Sequence, residues 1–241
     1  SFKECNLIID YIDKIAKEEG CDEIIIIQTP VIYNKNNELV NYCLSQKNYT
    51  NQENYLSSIL RVEENVNEQL KNIARNKNRS QNYYNSLISK NMLKFKWVSD
   101  FNDFYPILIK NKDRHNAKPT HSLKELERLK SLFPDNVLQL MLYNEKEALG
   151  GITIFKTNQK SAVLFYSMFD YKYNQLQPIA LLIQHILIWA KKEQLEFIDY
   201  GVSHLPDAEN PLTPNSSLIK FKEEFGCIAS IRNVYKKILN D

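Results

Sequence analysis

The sequence predicts a mixed α/β fold in which helices cover a sheet that contains both antiparallel and parallel strand pairs. One observation is a run of three apolar strand segments with hairpin-length loops between them, at residues 137–143, 148–155 and 162–168. Another is the segment behind Pro178, where every residue of 179–190 except Gln184 and His185 is apolar. This pattern predicts a helix that is buried nearly all round. A short apolar strand at 197–200 follows it, and the strand–helix–strand order is typical of a parallel crossover.

Composition and charge exclude several classes of protein. The chain has 241 residues, of which 43% are hydrophobic, and its net charge is +2. It therefore has material for a core but no global positive field of the kind typical of nucleic-acid-binding proteins, which leaves open only a local basic patch. Its longest apolar run is shorter than the ~20 residues of a membrane-spanning helix. With five glycines it has neither a P-loop nor a G-x-G-x-x-G loop.

The cysteine pattern predicts a reduced, cytoplasmic protein. The four cysteines are far apart in the sequence and lack C-x-x-C spacing, so we expect neither a disulfide framework nor a zinc site. No metal-ligand spacing occurs elsewhere, and we expect no metal cofactor. None of the cysteines has an activating context, so any group transfer is expected to proceed without a covalent enzyme intermediate.

The first 85 residues predict alternating helices and strands. Residues 2–19 carry apolar side chains at helical spacing, and Gly20 ends that helix. The unbroken apolar run within 23–28 predicts a strand buried on both faces of a parallel sheet. Further elements are expected in this order: a short strand at 40–44, a strand at 55–62 and a long polar helix at 63–84. Because the chain begins at Ser1 in a predicted helix, we expect an N-terminal part to be missing.

The remainder, 86–241, predicts a second block. Asp100 is expected to cap a helix, and Ser122 with Glu125 forms a capping-box pattern in front of another. The other predicted elements are a strand at 92–98, a helix at 216–225 and a strand at 228–239. The helix-then-strand order of 2–28 recurs at 178–200, which suggests two related lobes; the alternative is that this order is simply common in α/β proteins.

Several short motifs resemble those of the GNAT acyltransferase superfamily, and specifically of its Fem-like branch. The segment Ile219-Lys220-Phe221-Lys222-Glu223-Glu224-Phe225-Gly226 is similar to the Phe-Lys-x-x-Phe-Gly element of Fem-type peptidyltransferases. The other similar segments are Arg114-His115 with Lys118-Pro119-Thr120-His121-Ser122, Leu149-Gly150-Gly151, Pro178 and Asp199-Tyr200-Gly201. The resemblance implies a partial GNAT-like lobe at 1–85 and a GNAT-like acyltransferase domain at 86–241. It also implies acyl transfer to an amine or hydroxyl of a bacterial cell-envelope sugar or peptide precursor.

The resemblance implies acetyl-CoA or another acyl-CoA as the donor, or an aminoacyl-tRNA as in the Fem type. GNAT proteins hold the donor pyrophosphate with a Q/R-x-x-G-x-G/A loop before the buried helix. Here that stretch supplies Tyr173, Asn174, Gln175 and Gln177 as the expected cofactor-binding residues, without a glycine. The helix N-terminus still offers free N–H groups, although side chains hinder a close backbone approach.

Two residues are the first candidates for catalysis. The resemblance assigns Lys222 to stabilising the oxyanion of the tetrahedral intermediate; the alternative is an ordinary solvated helix lysine. Asp199 ends an apolar strand at the carboxyl end of the sheet, where ligands of open α/β folds gather. It is a candidate general base, and the alternative is that it caps the turn at Gly201.

Further candidates lie in loops and on the third strand of the meander. His121 is a candidate base because its ordinary pKa suits the task, and Tyr166 is a candidate general acid toward the leaving thiolate. The residues expected to bind the acceptor are Arg114, His115, Lys118, Tyr200 and Ser203. The alternatives are a capped surface loop for the histidines and packing for Tyr166.

Two other functions stay open. The basic run 71–79 suits an RNA partner, as a tRNA-dependent transferase requires, or else forms a solvated helix face. The protein could also be a degenerate GNAT fold that only binds a ligand. Neither the acceptor nor the oligomeric state follows from the sequence.

Overall fold

The computed structural model describes residues 1–33, 37–114, 116–205 and 208–239, and of Asn37 the backbone only. The helices are α1 (Phe2–Glu18), α2 (Asn37–Gln46), α3 (Val66–Asn76), α4 (Gln81–Lys90), α5 (Phe104–Asp113), α6 (Leu123–Leu132), α7 (Pro178–Lys192) and α8 (Ser216–Glu223). The strands are β1 (Glu23–Ile27), β2 (Thr50–Arg61), β3 (Lys94–Val98), β4 (Val137–Tyr143), β5 (Ala148–Lys156), β6 (Ser161–Phe169), β7 (Phe197–Val202) and β8 (Ile228–Ile238). Short 3-10 helices occupy Val31–Tyr33 and Tyr171–Leu176.

The chain folds as two compact units. One contains Ser1–Ser58, Val202–Ile219 and the C-terminal segment from Ile228; the other contains Ile59–Gly201 and Lys220–Cys227. We call them the first and the second unit. The sequence predicts a boundary between two related lobes after residue 85. The compact units reflect packing and not homology, so this boundary stays a prediction.

In the second unit the strands follow the order β7-β6-β5-β4-β3. The pairs β3–β4, β4–β5 and β5–β6 are antiparallel, and β6–β7 is parallel, which confirms the predicted mixed sheet. The Asn144 side chain shapes the first hairpin, since it accepts the backbone N–H groups of Lys146 and Glu147. The parallel pairing spans three residue pairs, from Ser161 with Phe197 to Val163 with Asp199.

Two hydrophobic cores hold the second unit. Helix α7 begins at Pro178, as predicted, and ten of its residues are buried in a core with Leu140, Ile152 and Leu164. The other core joins α5 and α6 to Val137, Met141 and Tyr166 of the sheet. Ser122 and Glu125 form the expected capping box at the start of α6. These cores leave the first turn of α7 at the carboxyl end of β6.

The first unit contains a core between α1, α2, β1 and β8, which includes Ile9, Ile24, Cys43 and Leu44. The expectation that β1 is buried in a parallel sheet is wrong. Strand β1 pairs antiparallel with β8 and lies at the end of the strand order, so Ile25 and Ile27 are 55% and 51% exposed.

Three other sequence predictions need correction. Residues 40–44 lie in α2, because Leu39 with Cys43 and Val40 with Leu44 meet the core at helical spacing. The predicted helix 63–84 is two helices, α3 and α4; Asn78 has a positive φ of 53° between them, and the Ser80 side chain caps α4. Asp100 accepts the N–H of Asn102 in a turn, and α5 begins four residues after Asp100, at Phe104.

No helix in the described ranges combines the length and the hydropathy needed to cross a membrane.

Close packing of β5 against its neighbours explains why glycine stands at 151. A Cβ there would lie 2.8 Å from the carbonyl oxygen of Leu140 and 2.7 Å from Nε2 of Gln139. We expect Gly151→Ala to lower the free energy of unfolding by about 1–3 kcal/mol, because the sheet must shift to admit the methyl group. Urea denaturation checks this against Lys94→Ala on the exposed side of β3, which should change stability by less than about 0.5 kcal/mol. Equal stabilities of the two variants would contradict the packing.

Candidate functional site

A buried lysine lies at the end of β7. Lys222 of α8 is 5% exposed, and its Nζ donates to the backbone oxygen of Gly201 over 2.9 Å. Burial lowers the pKa of Lys222 to about 8, although the nearby Cys227 and Asp199 act to raise it. The amine of Lys222 is thus mostly charged at pH 7, and it loses its proton at a lower pH than an ordinary lysine does.

Asp199 binds the backbone N–H of Gly201, the residue whose carbonyl oxygen binds Lys222. It is 4% exposed, and its Oδ1 accepts the backbone N–H of Gly201 over 2.6 Å. Gly201 has a positive φ of 72°, which is favourable for glycine. Asp199 therefore does cap the turn, as the structural alternative predicted, and it also contributes a carboxylate to the surroundings of Lys222.

Tyr200 and Cys227 complete this group, which we call the Gly201 cluster: Asp199, Tyr200, Gly201, Lys222 and Cys227. The hydroxyl of Tyr200 is buried without a hydrogen-bond partner in the described part of the chain. Desolvation raises its pKa well above the usual value. Burial also raises the pKa of the Cys227 thiol, so this cysteine lacks the thiolate character that a nucleophile needs.

A cavity of about 410 Å³ lies at the start of α7 in the second unit. We call it the α7 cavity. Its walls come from the end of α3, the end of β6, the segment that leads into α7, and α8. The lining residues are Asn76, Lys77, Asn78, Phe169, Asn174, Gln177, Pro178, Ile179, Ala180, Phe221, Glu224 and Phe225. Its walls therefore combine aromatic rings, carboxamides, one lysine, one glutamate and a helix N-terminus.

The first turn of α7 forms part of the wall of this cavity. Gln177 precedes the helix in the left-handed conformation, with φ 49° and ψ 54°, and its side chain does not cap the helix. Its Oε1 instead accepts the hydroxyl of Tyr84 over 3.1 Å. Ile179 and Ala180 line the cavity, and their backbone N–H groups have no hydrogen-bond acceptor within the described ranges. Such amides and the helix dipole favour an anionic group.

Comparison with known proteins was made at the levels of sequence and structure. No family model matches the chain, and no curated protein matches it. The crystal structure of FemX aligns with a TM-score of 0.77 at 13% identity and covers 100% of this chain and 78% of that one. The fold is that of a Fem-like GNAT protein.

Two further solved structures share this fold. The C-terminal domain of a putative lysylphosphatidylglycerol synthetase from Agrobacterium fabrum aligns with a TM-score of 0.58 at 10% identity, covering 98% of this chain and 73% of that one. L-PGS from Bacillus licheniformis aligns with a TM-score of 0.57 at 11% identity, covering 95% and 72%.

Two of the four expected donor-binding residues line the α7 cavity, and two do not. Asn174 and Gln177 line it. Tyr173 instead hydrogen-bonds Glu147 through its hydroxyl, and Gln175 is exposed.

The candidates His121 and Tyr166 form a second group. The backbone N–H of His121 donates to Tyr166 Oη over 3.2 Å, and His121 Nδ1 lies 3.4 Å from the same oxygen. Tyr166 belongs to the core of α5 and α6, whereas Tyr200 packs against the core of α7. The structure therefore assigns the predicted catalytic residues to two groups, with Lys222 and Asp199 in one and His121 and Tyr166 in the other.

The predicted acceptor residues are dispersed. The Arg114 guanidinium stacks on the ring of Tyr171 at 3.9 Å, and Lys118 is exposed. His115 lies outside the described residues. Ser203 is in the first unit, where it is fully buried and its backbone N–H donates to Leu56.

Sequence reasoning missed Lys77 and Phe169 of the α7 cavity, and it named Phe221 and Phe225 only as part of the Fem-like segment. Lys77 was assigned with its neighbours to a solvated or RNA-binding helix face. Lys77 lies at the break between α3 and α4, which removes it from the helix face of Lys71 and Arg75. The local sequence signal for this break is the segment Asn78-Arg79-Ser80. No group of three or more potential metal ligands lies together in the described part of the chain.

The buried position of Lys222 makes a titration prediction. With ¹³C-labelled lysine, one Cε resonance should titrate near pH 8 and should disappear in Lys222→Arg, because desolvation disfavours the charged amine. From about pH 8 to pH 10.5 the unfolded chain binds more protons at this residue than the native protein does. The free energy of unfolding should therefore rise with pH in that window relative to Lys222→Met. A midpoint near the ordinary lysine value would contradict the burial.

Proposed function

We propose that the protein is an acyltransferase that moves an acyl group, in the first instance acetyl, from acyl-CoA to an amine or hydroxyl. The proposed acceptor is a sugar or peptide precursor of the bacterial cell envelope, and the proposed compartment is the cytoplasm. The observation that carries the proposal is the α7 cavity, which joins the end of β6, the free amides of α7 and the Phe-Lys-x-x-Phe-Gly helix α8.

The walls of the α7 cavity fit the parts of an acyl-CoA. Phosphate oxygens suit the amides of Ile179 and Ala180 at the positive end of the helix. The apolar arm of the donor suits the rings of Phe169, Phe221 and Phe225. The absence of glycine before α7 is compatible with this, because Gln177 already has the left-handed backbone conformation and turns its side chain toward Tyr84.

The Gly201 cluster supplies the proposed chemistry. The acceptor nitrogen or oxygen attacks the thioester carbonyl carbon, the new C–N or C–O bond forms, and the C–S bond breaks. The ammonium of Lys222 stabilises the oxyanion between these events. Asp199 takes the proton that the acceptor loses. CoA leaves as the thiolate and takes this proton from Asp199, which restores the carboxylate. His121 and Tyr166, which contact one another, are proposed to position the acceptor.

A second candidate function is transfer from an aminoacyl-tRNA. The similarity to FemX and to a putative lysylphosphatidylglycerol synthetase domain favours it. The surface of α3 weighs against it, since Lys71 and Arg75 both pair with Glu68 and are not available as a continuous cationic strip.

The proposed reaction is tested with Lys222→Met and its neighbour Lys220→Met. Acetyl-CoA at one hundred times its dissociation constant should stabilise the wild-type protein by ~2.7 kcal/mol. Lys222→Met should lose about 10²–10³ in turnover, because one oxyanion donor is removed, whereas Lys220→Met should keep wild-type turnover since Lys220 is exposed.

Acetyl-CoA transfer and binding are measured by thiol release and calorimetry. No stabilisation by CoA species, together with salt-sensitive binding of tRNA, would replace the acyl-CoA donor by the aminoacyl-tRNA donor. Binding of acetyl-CoA without turnover on any amine or hydroxyl acceptor would instead identify a ligand-binding protein.

A further inference from the structure

Lys77 is held in the wall of the α7 cavity by unusual partners. Its side chain is 13% exposed, and its Nζ lies 2.7 Å from Oε2 of Glu224. The same ammonium lies 4.3 Å from the ring centroid of Phe225 and 5.1 Å from that of Phe221. Two ring faces and a carboxylate thus keep a largely desolvated cation in place.

The other basic residues of α3 have a different environment. Lys71 and Arg75 have side chains that are 61% and 66% exposed, and both pair with Glu68 on their own helix. Such surface pairs are solvated and contribute little. Among the described residues that line the cavity, Lys77 is the only cation.

The two members of the Lys77–Glu224 pair are not equally constrained. Glu224 has a side chain that is 37% exposed, so its carboxylate has a path to water. Lys77 is fixed by the rings of Phe221 and Phe225. An anion that enters the cavity with more charge than a carboxylate can therefore displace Glu224 while Lys77 stays in position.

We infer that Lys77 binds a phosphate group of the donor and that Glu224 is the carboxylate it exchanges for that phosphate. The inference rests on the proposed function. It adds a phosphate-binding residue, Lys77, and a carboxylate that competes with the phosphate, Glu224. A phosphate gives Lys77 a charge-assisted bond of the stronger kind, in the same cavity as the amides of Ile179 and Ala180. Glu224 disfavours small anions, because they must compete with it for the cation.

This exchange predicts which part of the donor Lys77 senses. CoA carries phosphates and should depend on Lys77, whereas pantetheine, the same arm without phosphate, should not. Removing the carboxylate charge of Glu224 should strengthen CoA binding, since the competing anion is lost. These two opposite effects distinguish phosphate exchange from a purely structural ion pair, whose two halves would weaken binding alike.

The experiment is a calorimetric titration of CoA and pantetheine into the full chain and three variants. Lys77→Met should weaken CoA about tenfold or more, the value of one charge-assisted contact, and should leave pantetheine unchanged. Glu224→Gln should tighten CoA about threefold or more. Lys71→Met is the matched control on the same helix and should behave as wild type.

Each other result overturns the inference in a recognisable way. If the wild-type protein binds CoA and Lys77→Met binds it equally well, Lys77 does not hold the phosphate and the proposed donor stands. If Lys77→Met does not fold, Glu224→Gln decides, and weaker CoA binding by that variant excludes the exchange. If the wild-type protein does not bind CoA, both the proposed donor and the exchange fail.

Discussion

The limited parallel pairing of β6 and β7 is the constraint on which the second unit depends. The two strands pair over three residue pairs only, and helix α7 connects them. Ten buried residues fix α7 on the sheet, so the first turn of the helix stands at the carboxyl end of β6. A parallel crossover thus places, without any glycine-rich loop, a helix N-terminus in the wall of a cavity.

The same unit retains a lysine where burial is costly. Desolvation lowers the pKa of Lys222, and a charged amine in such a place reduces stability unless it has partners. Gly201 supplies a carbonyl acceptor, and the neighbouring Asp199 carboxylate supplies the opposite charge. The two side chains hold the N–H and C=O groups of a single residue, and this arrangement fixes the end of β7 as well as the lysine. A residue kept at such a cost suits a role in chemistry.

Most of the fold could be predicted because its signals are local. The hairpin residues around Asn144, the capping box at Ser122 and the apolar run behind Pro178 each act within one or two elements. The predicted burial of β1 in a parallel sheet was wrong, because a run of isoleucines has the same sequence pattern in a buried strand and in an edge strand. Edge position depends on β8, more than two hundred residues later, which no local pattern shows.

The candidate site was less accessible to sequence reasoning. Lys222 was selected through the resemblance to Fem-like proteins and Asp199 through its place at the carboxyl end of an apolar strand. Nothing in their spacing predicts that both would contact Gly201. Lys77 was missed because its side chain belongs to the cavity only when α3 ends at Asn76, and helix ends are the least predictable part of a helix. The roles of all these residues in catalysis stay predictions.

The most direct test of the account is amide hydrogen exchange at the start of α7. Ile179 and Ala180 have no intramolecular acceptor in the described ranges, so their amides should exchange rapidly in the free protein. Saturating CoA should slow exchange at these two positions, because its phosphates accept their N–H groups, while the exchange of Lys94 on the far strand β3 stays the same. Binding of CoA without protection at Ile179 and Ala180 would contradict the assignment of this helix end to the donor.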